Sequence, residues 1–158
     1  MHKLLINKLL MPLLMTAAAG SALLAPAAFA QAPNSAVGLW KNIDDHSGKP
    51  KALIRITEAN GVLSGKIEKL LRDPSEDQNP KCVKCEGDLK DQPILGMTII
   101  TGMQKDGSEY NGGKILDPDN GKVYKSKMTL QENGQKLDVR GYIGVPMLGR
   151  TQTWLRQE

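Results

Sequence analysis

Aromatic side chains are scarce in this chain of 158 residues, which contains one Phe, two Trp and three Tyr. The one phenylalanine, Phe29, lies in an N-terminal segment that we expect to be removed. A core with so few aromatic rings must be built mainly from Ile, Leu, Val and Met. Because a chain of this size buries only a modest fraction of its surface, closing a sheet on itself is an economical solution.

Blocks of like charge are also missing, since Lys and Arg alternate with Asp and Glu throughout. Removal of Lys3 and Lys8 with the N-terminal segment leaves 19 basic residues against 17 acidic ones, a net charge of +2 instead of +4. Phosphate recognition needs a clustered basic face with stacking aromatic rings. The composition therefore gives no support to nucleic-acid binding.

Residue types that carry catalysis or bind metals are few. His46 is the one histidine left after export, and its surroundings, Asp44 to Gly48, are typical of a solvated turn. Zinc would need four ligands, and Asp117 to Gly121 lacks the length and distal glutamate of a calcium loop. We therefore expect no cofactor, no metal site and no enzymatic activity, with a redox or hydrolytic enzyme as the third hypothesis.

The two cysteines, Cys82 and Cys85, lie in an irregular, Pro-containing stretch from Arg72 to Pro93. In an exported protein, two cysteines this close most often form a disulfide with each other. A redox-active pair would need its first cysteine at a helix N-terminus, and no helical period is found here. The stretch is therefore predicted to be a long loop with a local disulfide.

The N-terminal thirty residues have the order of a secretory signal peptide. Lys3 and Lys8 are followed by an apolar stretch, 9–24, and by a cleavage site of the A-x-A type, Ala28-Phe29-Ala30. The alternative is an uncleaved membrane anchor, which Pro12 and the other breakers in this stretch disfavour. We expect residues 1–30 to be removed, a single domain from Gln31 to Glu158, and a periplasmic location without a transmembrane segment.

The rest of the chain predicts β-strands joined by tight turns. Apolar and polar residues alternate in about eight segments, as in strands with one buried face. One such face is predicted to carry Leu137, Val139, Gly141 and Ile143, and another Leu63, Gly65 and Ile67, with Lys69 and Leu71 as its continuation. Asn60-Gly61, Asn120-Gly121 and Asn133-Gly134 are strong hairpin signals, because both residues accept a positive φ. Without helical crossovers the sheet is antiparallel. The prediction is an up-and-down, eight-stranded barrel, with side chains or one small ligand inside.

Four residues are candidates for ligand binding or for closure of the barrel: Trp40, Trp154, Arg150 and Arg156. The tryptophans lie near the two ends of the mature chain, so they become neighbours if the first and last strands pair. One of the arginines could then stack on an indole. We favour the structural interpretation, in which these residues close one end of the barrel, over a ligand pocket.

Several segments of the chain together form a specific pattern: Gly38 to Trp40, Lys81 to Cys85, Leu95 to Gly102, Gly112 to Pro118, Gly121 to Tyr124, Val139 to Gly144 and Gly149 to Trp154. In these segments the chain resembles a bacterial exported family named domain of unknown function 2147. Gly38-Leu39-Trp40 is also similar to the Gly-x-Trp of lipocalins. There the tryptophan of the first strand closes the barrel base against an arginine near the chain end. The resemblance implies a lipocalin-like barrel.

The leading functional hypothesis is a periplasmic binding module for a small-molecule or lipid ligand, amphipathic molecules included. The alternative is a structural or protein-interaction module of the cell envelope that binds no small ligand. Cavity volume distinguishes the two, since a drug-sized ligand needs a few hundred Å3. Ligand identity, partner proteins and oligomeric state cannot be predicted from the sequence.

Overall fold

A computed structural model describes residues 34–158, which form a closed antiparallel barrel in which each strand pairs with the next and the last with the first. The strands are β1 (Gly38–Ile43), β2 (Pro50–Ala59), β3 (Val62–Leu70), β4 (Thr98–Asp106), β5 (Glu109–Asp117), β6 (Lys122–Gln131), β7 (Lys136–Tyr142) and β8 (Arg150–Arg156). Single 3-10 turns occur at Gly87–Leu89, Glu132–Gly134 and Pro146–Leu148. The predicted fold class is confirmed. The predicted signal peptide lies outside the described residues, and that prediction stays untested.

The hairpin turns are located where the sequence predicts them. Asn60 and Gly61, between β2 and β3, have φ values of 51° and 78°. These are the left-handed conformations that Asn and Gly tolerate at a two-residue hairpin. Such short connections bring each strand next to its predecessor, which explains the up-and-down order.

The two ends of the barrel differ in their connections. One end, here called the turn end, has the short connections β2–β3, β4–β5 and β6–β7. The other, called the loop end, has the β1–β2, β3–β4, β5–β6 and β7–β8 connections, among them the long segment between Leu70 and Thr98. The loop end therefore offers the more variable surface for recognition.

Side chains fill the barrel interior. The large, fully buried residues are Trp40, Ile54, Ile56, Leu63, Ile100, Met103, Met128, Leu137 and Trp154. Glycines on neighbouring strands make room for them: a Cβ on Gly65 would lie 3.1 Å from Ile100, and one on Gly113 would clash with Met103. With few aromatic rings, the core relies on branched aliphatic and methionine side chains that interlock across the barrel.

Two details of the predicted strand faces are wrong. Ile143 continues the buried face of β7 in the sequence, but the strand ends at Tyr142 and Ile143 is exposed. In β3, a register shift between Leu53 and Ile54 of the partner strand changes which residue faces inward. As a result Leu70 packs against the core, where the alternation predicts Leu71.

The segment between β3 and β4 is a packed loop. The predicted disulfide joins Cys82 and Cys85, and both cysteines are buried. Backbone hydrogen bonds stitch the loop together, such as Cys82 N to Gln92 O at 2.9 Å and Asp91 N to Cys82 O at 3.0 Å. A helix long and apolar enough to cross a membrane is not found within residues 34–158.

Candidate functional site

Trp40 and Arg156 close the turn end of the barrel. The two residues face each other in the pairing of β1 with β8, and the Arg156 guanidinium carbon lies 4.1 Å from the centre of the Trp40 ring. A cation over an indole face at this distance is a favourable cation–π contact. Of the two candidate arginines, Arg156 is the one that stacks on a tryptophan.

Four backbone carbonyls fix the orientation of Arg156, one of them Glu158 O, which accepts from Nη1 at 3.4 Å. The guanidinium also donates to Gly134 O at 2.5 Å, to Ser35 O at 2.6 Å and to Val37 O at 3.0 Å. Burial lowers the pKa of this arginine, and the side chain still remains a cation at neutral pH. The Arg156 guanidinium thus finds its partners within the protein, as expected for a residue that closes the barrel.

Arg150 lies at the other end of the barrel. Its guanidinium forms a two-pronged pair with Asp45 of the β1–β2 loop, with Nε donating to Oδ2 at 2.5 Å and Nη2 donating to Oδ1. The hydrogen bonds from Arg150 are the main reason why the pKa of Asp45 lies well below its usual range. The four candidate residues therefore do not form one site: Arg150 fastens the loop end, and Arg156 the turn end.

A small polar group lies inside the barrel on the side of the loop end. Asn42 Nδ2 donates to Gln152 Oε1 at 2.9 Å, and Trp154 Nε1 donates to the same oxygen at 3.4 Å. Ser126 of β6 is also fully buried, and its Oγ has no hydrogen-bond partner among residues 34–158. An unpaired buried hydroxyl is the normal partner of a water molecule or of a polar ligand atom.

The loop between β7 and β8, residues 143–148, exposes a run of apolar side chains. The exposed fractions are 66% for Ile143, 54% for Val145, 88% for Met147 and 80% for Leu148. We call this segment the apolar loop. This loop is not among the sites predicted from the sequence. The signal for it is that Gly144 and Pro146 interrupt the strand pattern, so these apolar residues do not belong to the buried face of a strand.

Two depressions lie on the outer wall of the described part of the barrel. The larger, about 420 Å3, lies on the outside of β2 and β3 and is bordered by Arg55, Glu68 and Leu95. The smaller, about 150 Å3, lies on the outside of β6, β7 and β8. Neither opens into the barrel, whose interior is occupied by side chains.

The remaining candidates for chemistry occupy turns. His46 is exposed and its backbone N–H donates to Asp44 Oδ1 at 3.2 Å. Asp117 caps its own turn, accepting from Asp119 N at 3.0 Å and from Asn120 Nδ2 at 2.8 Å. Within residues 34–158, no three His, Cys, Asp or Glu side chains come together as a metal site would require.

Comparison with known proteins agrees with this geometry. Residues 38–156 match the model of a family described as uncharacterized protein conserved in bacteria (DUF2147). A solved structure of protein HP1028 from Helicobacter pylori, described as belonging to the lipocalin family, is similar with a TM-score of 0.65 and 20% identity. The match covers 78% of this chain and 84% of that protein. No curated protein matches the chain. Both resemblances predicted from the sequence are confirmed: the chain belongs to the DUF2147 family of bacterial proteins and has a lipocalin-like barrel.

Proposed function

We propose that this protein is an exported recognition module of the bacterial cell envelope. Its barrel is filled with side chains and serves as a scaffold, and the loop end forms the binding surface. The observation that carries the proposal is the combination of a core packed with side chains and an apolar loop left in solvent. Monomeric proteins seldom expose several large apolar side chains together unless they bind something there. The proposal therefore favours the alternative hypothesis of the sequence analysis over a ligand carrier.

A periplasmic location and the absence of catalysis are parts of this proposal. The order of charged, apolar and small residues in 1–30 supports export, and a disulfide at Cys82 and Cys85 is compatible with an oxidising compartment. Intact-mass analysis of the periplasmic fraction should find a chain that begins at Gln31. A protein retained in membranes with its Met1 segment would contradict the location, and turnover of a dithiol substrate would contradict the non-enzymatic role.

Small-ligand binding is the second candidate function, and one specific observation favours it. The buried Ser126 hydroxyl has no hydrogen-bond partner among residues 34–158, so a small polar ligand inside the barrel would find one there. Room for such a ligand would require movement of the surrounding side chains. A smaller ligand would require less movement of the core side chains.

Native mass spectrometry of protein purified from its own host separates the two candidates. We expect the mass of the polypeptide alone, because the interior is occupied. A stoichiometric small molecule that is lost when Ser126→Val is introduced would overturn the proposal in favour of ligand binding.

A second experiment tests the loop end directly, with a photo-cross-linking amino acid at Met147. The matched control carries the same group at Gln131, which is exposed at the turn end of β6. The proposal predicts envelope adducts, either protein or lipid, from position 147 and few from position 131. Equal labelling from both ends, or none from either, would contradict it.

A further inference from the structure

Hydrogen bonds hold the apolar loop in its exposed conformation. Arg140 donates from Nε to Pro146 O at 2.7 Å, from Nη2 to Met147 O at 3.3 Å and from Nη1 to Thr151 Oγ1 at 2.7 Å. Within the loop, Leu148 N donates to Val145 O at 3.2 Å and Gly149 N to Pro146 O at 3.0 Å. These bonds satisfy backbone groups of the turn, so its apolar side chains can enter an apolar medium without carrying unpaired carbonyls with them.

Positive charge lies beside the loop on the outer wall. Lys114 of β5 and Lys125 of β6 face each other in register, and Lys125 faces Tyr142, the residue before Ile143. Within residues 34–158, neither lysine has a carboxylate at ion-pair distance, and neither does Arg140. The loop is therefore flanked by three cations whose charge is not neutralised locally.

The carboxylates near this surface are either engaged or farther away. Glu109 pairs with Lys127, and Asp138 accepts from Thr153 Oγ1 at 2.6 Å; both lie toward the turn end of their strands. At the loop end, Asp45 is bound by Arg150, while Asp44 and Asp119 lie at ion-pair distance from Lys51. Asp117 accepts hydrogen bonds from the amides of its own turn. The cations that flank the apolar loop thus keep their charge without an ion-pair partner, which favours an anionic partner over a basic one.

We propose that the apolar loop and its flanking cations form a docking site for an anionic phospholipid bilayer surface. This inference rests on the proposed function and names the partner of the loop end. The side chains of Met147 and Leu148 enter the headgroup and acyl boundary, while Lys114, Lys125 and Arg140 remain at the phosphate level. A short, protruding apolar tip with basic residues behind it fits a lipid interface. A flat protein interface instead needs a broad complementary face of about 800 Å2 on each partner.

Vesicle flotation tests this docking, with wild-type protein and two kinds of vesicle. We expect binding to vesicles of equal parts phosphatidylcholine and phosphatidylglycerol, and much weaker binding to phosphatidylcholine alone. Met147→Ser/Leu148→Ser should reduce partitioning at least about ten-fold, because two apolar side chains no longer leave water. The fold should be unaffected, since both side chains point into solvent.

The control for the apolar side chains is Leu89→Ser/Leu95→Ser, which removes two other partly exposed leucines, at 39% and 47% exposure, from the loop that carries the disulfide. This variant should bind as wild type does. Lys114→Gln/Lys125→Gln should weaken binding to anionic vesicles by about five-fold per lysine, since a basic residue near such a surface contributes about 1 kcal/mol. The same change should have little effect on neutral vesicles.

Three outcomes would overturn the bilayer as the partner. One is no flotation of the wild type with anionic vesicles, and another is equal flotation of Met147→Ser/Leu148→Ser. The third is a concentration-dependent dimer, detected by light scattering, that the same variant abolishes; the loop would then bind a second copy. If vesicles fail while position 147 still cross-links an envelope protein, docking to lipid is wrong and the recognition function stands. If both experiments fail, the recognition function falls as well.

Discussion

At the residue scale, two arginines on one strand have opposite roles. Arg156 is enclosed by Trp40 and four backbone carbonyls, so its replacement leaves those acceptors without their donor. Arg150, six positions earlier, forms an ion pair that remains accessible to water, with side-chain exposures of 47% and 30% for the two partners. Because they are less accessible to water, the contacts of Arg156 should stabilise the fold more than the ion pair of Arg150 with Asp45.

Replacement of Arg156 should therefore destabilise the barrel more than replacement of Arg150. Arg156→Met removes the cation–π contact and three donors, and we expect a loss of about 2–4 kcal/mol in the free energy of unfolding. Arg150→Met, the matched control, should cost at most about 1 kcal/mol. Urea denaturation followed by tryptophan fluorescence measures both. Similar losses for the two variants would contradict the assignment of Arg156 as the closing residue.

The ion pair of Asp45 with Arg150 should make stability depend on pH in the acid range. Because the pKa of Asp45 is lowered in the folded state, the charged pair stabilises fully above the unfolded pKa of about 3.9. This contribution is lost as the pH falls below that value toward the folded pKa. The difference in urea midpoint between wild type and Asp45→Asn should therefore be present at pH 7 and shrink below about pH 4.

A second background isolates that effect from other carboxylates. In Arg150→Met, the substitution Asp45→Asn should produce a much smaller pH-dependent difference, because the main partner that lowers the pKa of Asp45 is gone and the weaker contribution of Gln152 remains. An unchanged difference in this background would assign the acid sensitivity to another group. High salt should weaken the effect in the wild type, as for any accessible ion pair.

At the scale of elements, the segment between β3 and β4 forms a clip that packs against the turn between β5 and β6. Cys82 Sγ lies 3.4 Å from Pro118 O, and a Cβ on Gly121 would clash with the carbonyl of Lys84. The turn between β5 and β6 thus packs against the disulfide, and only glycine fits there with its φ of 73°. The long loop is fixed by this contact at one edge of the loop end.

Loss of the disulfide should loosen this clip and leave the barrel folded. Closing so short a ring removes little chain entropy, and Cys82→Ser/Cys85→Ser should cost about 2 kcal/mol. Trypsin should then cut faster at Lys81 and Lys84, while the near-ultraviolet circular dichroism of the tryptophans persists. Reduced wild-type protein is the control and should behave in the same way. Loss of the tryptophan signal would show that the loop holds the barrel itself.

Most element boundaries could be predicted because alternation and Asn-Gly turns are local properties of the sequence. The exposed Ile143 could not, since alternation continues past the point where β7 loses its partner. Likewise Asp45 and Arg150 are 105 positions apart, and only closure of the barrel brings them together. Sequence patterns indicate which residues can face inward, but the pairing of β1 with β8 depends on the register of all strands together.

At the scale of the whole molecule, closure depends on a short seam. Only two residue pairs, Trp40 with Arg156 and Lys41 with Leu155, are in register between β1 and β8. Backbone bonds of the chain end extend the seam, with Gln157 N donating to Leu39 O at 2.8 Å. Side-chain packing must supply the rest, and the two tryptophans are the largest side chains buried in that core.

The energetic coupling of the two tryptophans tests closure in solution. Trp40→Ala and Trp154→Ala should each cost about 3–5 kcal/mol, as expected for a buried aromatic side chain. Both side chains belong to one packed core cluster, and they lie on the adjacent strands β1 and β8. The double variant should therefore cost less than the sum of the two single losses, by about 0.5–3 kcal/mol. The control pair is Trp40→Ala with Val123→Ala, whose second member is an exposed residue of β6 outside that cluster. The losses of the control pair should add within about 0.5 kcal/mol. Strict additivity of the tryptophan pair would mean that the first and last strands do not stabilise each other across the seam.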